Sequence, residues 1–143
     1  MSETQSNSVS AVMPAQLPPG PAERTVYSYG VRAGDQVHIL RMEAFDSDAN
    51  IVGERDIEAH AEQVFKNLQA VIHEAGGTIN NIVSTTTYLA DVTDAPVVNA
   101  ARSRYFTGEV LPTHTVIGVA ALARPQFLVE ISAVAYLGDL SKD

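Results

Sequence analysis

Cysteine and tryptophan are absent from this chain of 143 residues. Without cysteine there are no disulfide frameworks, thiolate metal sites or thiol nucleophiles. Basic residues are also scarce: nine Lys and Arg stand against seventeen Asp and Glu, a formal charge of −8. Nucleic-acid binders ordinarily carry a basic patch to meet the phosphates. Neither nucleic acid nor an anionic membrane surface is therefore expected as a partner. No apolar run approaches the ~18 residues of a membrane span, and the first residues lack the basic stretch of a signal peptide. A cytoplasmic protein is the expectation. What the chain does have is 45% hydrophobic residues, enough to bury the core of one ordinary domain.

Residues 1–23 are rich in Ser, Gln, Pro and Gly and read as a flexible arm, with a Pro-rich run ending at Pro21. The patterned body spans 24–138, and 139–143 form a tail. Thr25 to Val31 and Gln36 to Met42 suit two strands of a hairpin, with the turn at Arg32-Ala33-Gly34-Asp35. After a polar loop comes the strongest helix signal. Ile57, Ala61, Val64, Phe65, Leu68, Val71, Ile72 and Ala75 form one apolar stripe, with Asp56 as N-cap and Gly76-Gly77 as the stop. Ile82 to Leu89 reads as a strand. Asp94-Ala95-Pro96 opens a second helix that Gly108 ends. Strands are then expected at Thr115 to Leu122 and Phe127 to Leu137. The order β-β-α-β-α-β-β gives an α+β sandwich with helices on one side of a sheet.

Two helices can cover only one face of such a sheet, and in a monomer the other should be polar. In the last strand one parity reads Phe127, Val129, Ile131, Ala133, Ala135, Leu137; the other reads Leu128, Glu130, Ser132, Val134, Tyr136. The second set is mixed rather than wet, and an oligomer packing sheet against sheet resolves this.

Several segments resemble the RidA family of reactive-intermediate deaminases, also called endoribonuclease L-PSP. They are Asp56-Ile57-Glu58-Ala59 with Val64-Phe65-Lys66-Asn67-Leu68, Ala75-Gly76-Gly77, Val83 to Asp91, Val98-Asn99-Ala100, Tyr105-Phe106, Leu111-Pro112-Thr113 and Leu128 to Ala135. The closing Val-Glu-Ile-Ser-Ala-Val-Ala-Tyr looks most like the 2-aminomuconate deaminase branch. The resemblance implies a chorismate-mutase-like fold and a homotrimer with a central sheet barrel and pockets between subunits. It also implies hydrolytic deamination of small carboxylate-bearing enamines or imines, without metal or cofactor. Ribonuclease activity, which the family label suggests, is poorly matched to a charge of −8.

The family's catalytic Glu falls at Glu130. A carboxylate in an apolar strand must be paired, protonated or set in a wet pocket. It reads as a general base or water-positioning group, or else as a strand-edge carboxylate facing solvent or a subunit salt bridge. Tyr27, Asn99 and Tyr105 match pocket-side positions, with plain packing as the alternative for each. The family's carboxylate-binding Arg is missing: His114 takes its place in Pro112-Thr113-His114-Thr115, where Thr115 joins the substrate-binding set. His114 is the second catalytic candidate. It could replace a guanidinium only if a nearby anion kept it protonated. Arg41 stands where the family has glycine, and it either supplies the missing charge or reaches solvent or a carboxylate such as Glu43. His60 and His73 lack metal-ligand spacing, and His38 reads as structural. Two alternatives stay open: a repurposed pocket with other hydrolase, tautomerase or lyase chemistry in a catabolic pathway, or a non-catalytic metabolite-binding module.

Overall fold

The computed structural model describes residues 8–18 and 26–138. Six strands form one sheet: β1 (Val9–Val12), β2 (Gly30–Ala33), β3 (Gln36–Met42), β4 (Ile82–Leu89), β5 (Thr113–Gly118) and β6 (Val129–Tyr136), in the order β1-β2-β3-β6-β4-β5. Only β4 and β5 run parallel. Helices α1 (Ile57–Glu74) and α2 (Ala95–Tyr105) lie side by side, and α1 packs on β3 and β6. The architecture is the expected α+β sandwich. No described helix is long and apolar enough to cross a membrane.

Helix α1 forms where its apolar stripe dictates. The Asp56 carboxylate accepts from the amides of Glu58 and Ala59 at 3.1 and 3.2 Å, satisfying two of the helix's unpaired donors, a cap worth about 1 kcal/mol. Gly76 takes φ +98° just past the helix, and the Gly77 amide closes back on the Ile72 carbonyl at 2.9 Å. The stripe residues Val64, Phe65, Leu68, Val71 and Ile72 are buried against Val37 and Ile39 of β3 and Val129, Ile131, Ala133 and Ala135 of β6. Those four β6 residues belong to the parity that the sequence marked as the apolar face.

Several boundaries differ from expectation, the main ones for reasons of pairing. The arm expected over 1–23 is not flexible throughout: Val9–Val12 adds an edge strand to β2, and Val12 and Leu17 enter the core. The driving force is burial of two apolar side chains together with pairing of the open β2 edge. The Pro-rich run at 19–21 and Thr25 lie outside the described residues. β2 begins only at Gly30, where a Cβ would stand 2.7 Å from Val71 Cγ1, although the Leu40 amide still bonds the Tyr29 carbonyl at 2.9 Å. β5 ends at Gly118 because its parallel partner ends at Leu89. α2 stops at Tyr105 rather than Gly108, and the amides of Thr107 and Gly108 bond instead to Asn80 Oδ1.

One irregularity decides what the far face of the sheet carries. Ile39 pairs with Ala133, but Met42 pairs with Ile131, so β3 uses three residue steps where β6 uses two. This bulge leaves Ile39 and Met42 both facing the helices, with Leu40 and Arg41 between them. Simple alternation from Ile39 would have sent Arg41 and Glu43 under the helices. The bulge reverses the phase and delivers both to the open face.

Candidate active site

Glu130 sits on β6 opposite Tyr88 of β4, on the face that the helices leave open. It is nevertheless only 3% exposed. Its cover comes from three directions. Arg41 brings Nε to 3.9 Å from Oε1 and lays its guanidinium 5.4 Å from the centre of the Tyr88 ring. The Ala123 amide donates to Oε2 at 3.4 Å from the loop before β6. The side chain of Glu43, half-buried, lies within range of the Glu130 charge.

The surrounding elements hold these groups in place. The Asn67 amide of α1 donates to the carbonyls of Glu43 and Phe45 at 2.7 and 2.8 Å, and Gln63 donates to Phe45 and Asn67, anchoring the chain that leaves β3. His60, fully buried, bridges the Gly53 carbonyl through Nδ1 at 3.0 Å and accepts the Leu128 amide at Nε2 at 3.3 Å. That pair of bonds assigns the neutral Nδ1–H tautomer, and burial pulls the His60 pKa down accordingly. The 121–128 loop is further fixed by Arg124, whose guanidinium lies 5.3 and 5.9 Å from the Phe45 and Phe127 rings. Pro125, Gln126 and Leu128 of this loop also wall a cavity of about 650 Å³ with Glu54, Arg55 and Asp94.

Two carboxylates side by side cannot both ionise cheaply. Desolvation, then the charge of Glu130, pushes Glu43 up from 4.5 to about 7, against the opposing pull of Arg124 and Arg41. At neutral pH Glu43 is therefore close to half protonated, next to Glu130 and beneath a guanidinium. Such a pair can take a proton at one oxygen and give one at another, the requirement for general acid–base chemistry.

Of the residues singled out from sequence, the structure brings Glu130 and Arg41 together. Thr115 is exposed on the edge strand β5, in register with Thr86. Tyr27 is 61% exposed. The Tyr105 hydroxyl donates to Glu62, and its ring stacks on Phe65 at 5.3 Å, so packing and a local bond account for it. Asn99 is on α2, beyond the sheet. His114 hydrogen-bonds through Nε2 to Thr87 at 3.3 Å; Thr87 is buried on the helix side, where its β6 partner is Ile131. Within one chain His114 and Glu130 therefore face opposite sides of the sheet. The anion that would keep His114 protonated is replaced by a cation: burial and then Arg102 lower its pKa. Its ring is expected to be neutral at pH 7, with an NMR titration midpoint below 6.5; a midpoint above 6.5 would restore the cationic role. Glu43, Arg124 and Arg102 escaped the sequence reading as site residues. The sole signal for Glu43 was its position two residues after Arg41. Among the described residues no group of His, Asp or Glu is arranged to hold a metal.

Comparison with known proteins adds independent information. The family model described as endoribonuclease L-PSP matches residues 19–137. A RutC family protein of Synechocystis is 36% identical over 123 residues, covering 85% of this chain and 94% of the relative. A mouse 2-iminobutanoate/2-iminopropanoate deaminase is 34% identical over 122 residues, covering 85% and 89%. The crystal structure of RidA from an Antarctic Psychrobacter superposes with a TM-score of 0.79 at 29% identity, covering 89% of this chain and 98% of the other.

Proposed function

The chain belongs to the endoribonuclease L-PSP family, and from that premise we propose that it hydrolyses a small carboxylate-bearing imine or enamine to a 2-oxo acid and ammonia. The observation that carries this reading is a buried Glu130 within 3.9 Å of Arg41, with Glu43 near enough for the two carboxylates to interact. The mouse relative is an imine deaminase by name, which supports the same substrate class.

The geometry supplies a balanced path. Arg41 engages Glu130 through Nε, and its side chain is 58% exposed, so its terminal nitrogens are free to fork onto the substrate carboxylate. Water adds to the imine carbon as Glu130 takes its proton, and the C=N electron pair moves to nitrogen, which receives the proton held by Glu43. In the collapse, the hydroxyl proton returns to Glu43 as the C=O bond forms. The C–N bond breaks, and nitrogen leaves as ammonia with the proton from Glu130. Both carboxyls end as they began, and an enamine enters through its imine tautomer. No cofactor takes part. His114, neutral and on the helix side, has no proton to move in this scheme.

The proposal includes a homotrimer. The open face presents Ser132, Val134 and Tyr136, a mixed surface that sheet-on-sheet packing around a central barrel would cover. Sedimentation at 45–50 kDa is expected (~3 × 15 kDa); a 15.3 kDa particle would remove this part.

The decisive experiment follows ammonia release from freshly generated 2-aminoacrylate and from 2-aminomuconate, with wild type and Glu130→Gln. Turnover that disappears in the variant supports the reading. For the carboxylate role, Arg41→Met is expected to raise KM about 10-fold or more with a smaller change in kcat, because a forked charge-assisted contact is lost from ground and transition states alike. An unchanged KM would take Arg41 out of substrate binding. A second reading, tautomerase chemistry, is favoured by the proton shared between Glu43 and Glu130, which could shift a double bond without water. Solvent deuterium entering an unreacted substrate, without ammonia release, would identify it.

A further inference from the structure

The segment 121–128 enters β6 and carries the Ala123 amide that donates to Glu130 Oε2 at 3.4 Å. It is irregular in conformation. Its Phe127 amide turns back on the Arg124 carbonyl at 3.1 Å, a bond that ties the segment only to itself. Where Ala123 comes to rest therefore depends on how the end of the segment is held. Leu128 makes two bonds there. Its carbonyl accepts the Ala90 amide at 3.1 Å, which continues the pairing of β4 with β6 past Leu89 and Val129. Its amide donates to His60 Nε2 at 3.3 Å, and that bond ties the segment to the helix layer.

His60 is placed to make that second bond. It lies near the start of α1, fully buried, with Nδ1 on the Gly53 carbonyl at 3.0 Å. Gly53 has φ +72°, and a Cβ there would stand 2.5 Å from the His60 amide nitrogen and 2.8 Å from the Asp56 carbonyl oxygen. Only glycine lets this loop lie so close on the helix start, which brings its carbonyl to the imidazole. The ring thus spans from one loop to another, and its edge-on neighbour at 6.3 Å is Phe127 of the same segment. Packing alone would be served by an apolar side chain with no polar atom to satisfy. Bridging a carbonyl and an amide needs one donor and one acceptor on the same group, which a neutral imidazole has.

We propose that His60 is a positioning residue for the Glu130 site: through the Leu128 amide it fixes the 123–128 segment, and with it the Ala123 amide, against Glu130. The same segment carries Arg124, whose charge acts on Glu43, so both carboxylates depend on where it lies. The effect on rate rests on the deaminase reading; the effect on the segment does not.

The test compares His60→Leu, which loses both polar atoms, with His60→Gln, whose amide can donate to Gly53 and accept from Leu128. Amide hydrogen exchange is followed by NMR on the full chain, and ammonia release from 2-aminoacrylate gives kcat and KM. In His60→Leu the Ala123 amide should exchange at least about 10-fold faster. Its kcat should fall about 10- to 100-fold, as expected when a catalytic group is misplaced by about 1 Å. KM should change by less than about 3-fold, because Arg41 lies on β3, outside the segment. His60→Gln should restore both exchange and kcat to within about 3-fold of wild type. Ile72→Val, buried on the same helix about 18 Å away, controls for lost stability and should leave both unchanged. Unchanged Ala123 exchange in His60→Leu overturns the proposal, as does faster exchange with kcat intact. A loss that glutamine does not restore, or that Ile72→Val reproduces, reduces His60 to a packing residue. If His60→Leu does not fold, His60→Asn takes its place with the same expected losses, its amide being one methylene too short to reach both partners. Should wild type release no ammonia, the deaminase reading fails, while the exchange comparison still decides whether His60 holds Ala123 on Glu130.

Discussion

Replacing Glu130 by glutamine is expected to lower ammonia release by about 100- to 1000-fold, the usual contribution of a positioned general base, with little change in fold. The side chain keeps its shape and an acceptor for the Ala123 amide, which lies 3.4 Å from Oε2. Arg41 loses its anionic partner, but at 58% exposure water can solvate it. Glutamine cannot take the proton from the attacking water, and the rate should follow. Circular dichroism and a melting curve confirm the fold, and steady-state assays give the rate. Turnover within a few-fold of wild type would end the assignment of Glu130 as base. The same variant carries a second readout. The charge of Glu130 is the second-largest cause of the raised Glu43 pKa, after desolvation. Glu43 should therefore titrate lower in Glu130→Gln, yet stay above 4.5 because its burial persists.

Glu43→Gln should alter how both activity and stability depend on pH. In the proposed path the acid form of Glu43 protonates the imine nitrogen as water adds, so activity should decline as pH rises through about 7. The amide has no such proton to lose; the variant should be slow at all pH values and lack that alkaline limb. For stability, the folded-state value of about 7 lies above the ordinary 4.5. Between these limits the native chain binds more protons than the unfolded one, so stability falls as pH rises through the window. Its contribution is fully present below about 4.5 and gone above about 7. Because Glu43 is only half-buried, solvent screening reduces the effect to about 1–2 kcal/mol. His60 acts in the opposite sense: its pKa is held below 6.5, so it favours the native state at higher pH and costs stability as pH falls. The difference between wild type and Glu43→Gln cancels the His60 contribution. Urea denaturation at pH 5 and pH 8 should show wild type losing about 1–2 kcal/mol more than the variant between the two. Identical pH dependence in both proteins would mean that Glu43 ionises as an ordinary surface carboxylate.

The two predictions rest on groups that differed in how visible they were beforehand. Glu130 was legible because a carboxylate interrupts an apolar strand, and its exposure of only 3% means that it needs partners. The partners were not legible. Arg41 and Glu43 read as residues two apart on a strand whose phase is set by Val37 and Ile39, which would have buried them. The bulge between Ile39 and Met42 turns them over. A bulge needs one extra residue on one of two paired strands, so it exists only in the pairing with β6 and leaves no local mark on β3. Arg102 was invisible for a similar reason: it became unusual only once Phe106, Thr113 and Leu111 had closed around it.

From sequence alone came the long helix with its Asp56 cap and Gly76 stop, the apolar parity of the last strand, the α+β layering and the family. Each depends on periodicity, capping or local motif order, which neighbouring residues determine. Tertiary structure decided that Val9–Val12 joins the sheet, that Arg41 and Glu43 meet Glu130, that His114 faces the helices and that the Arg102 Nη1 lies buried without an acceptor among the described residues. These outcomes depend on register between distant segments and on how much water each pairing excludes, and both arise only when the chain has closed on itself.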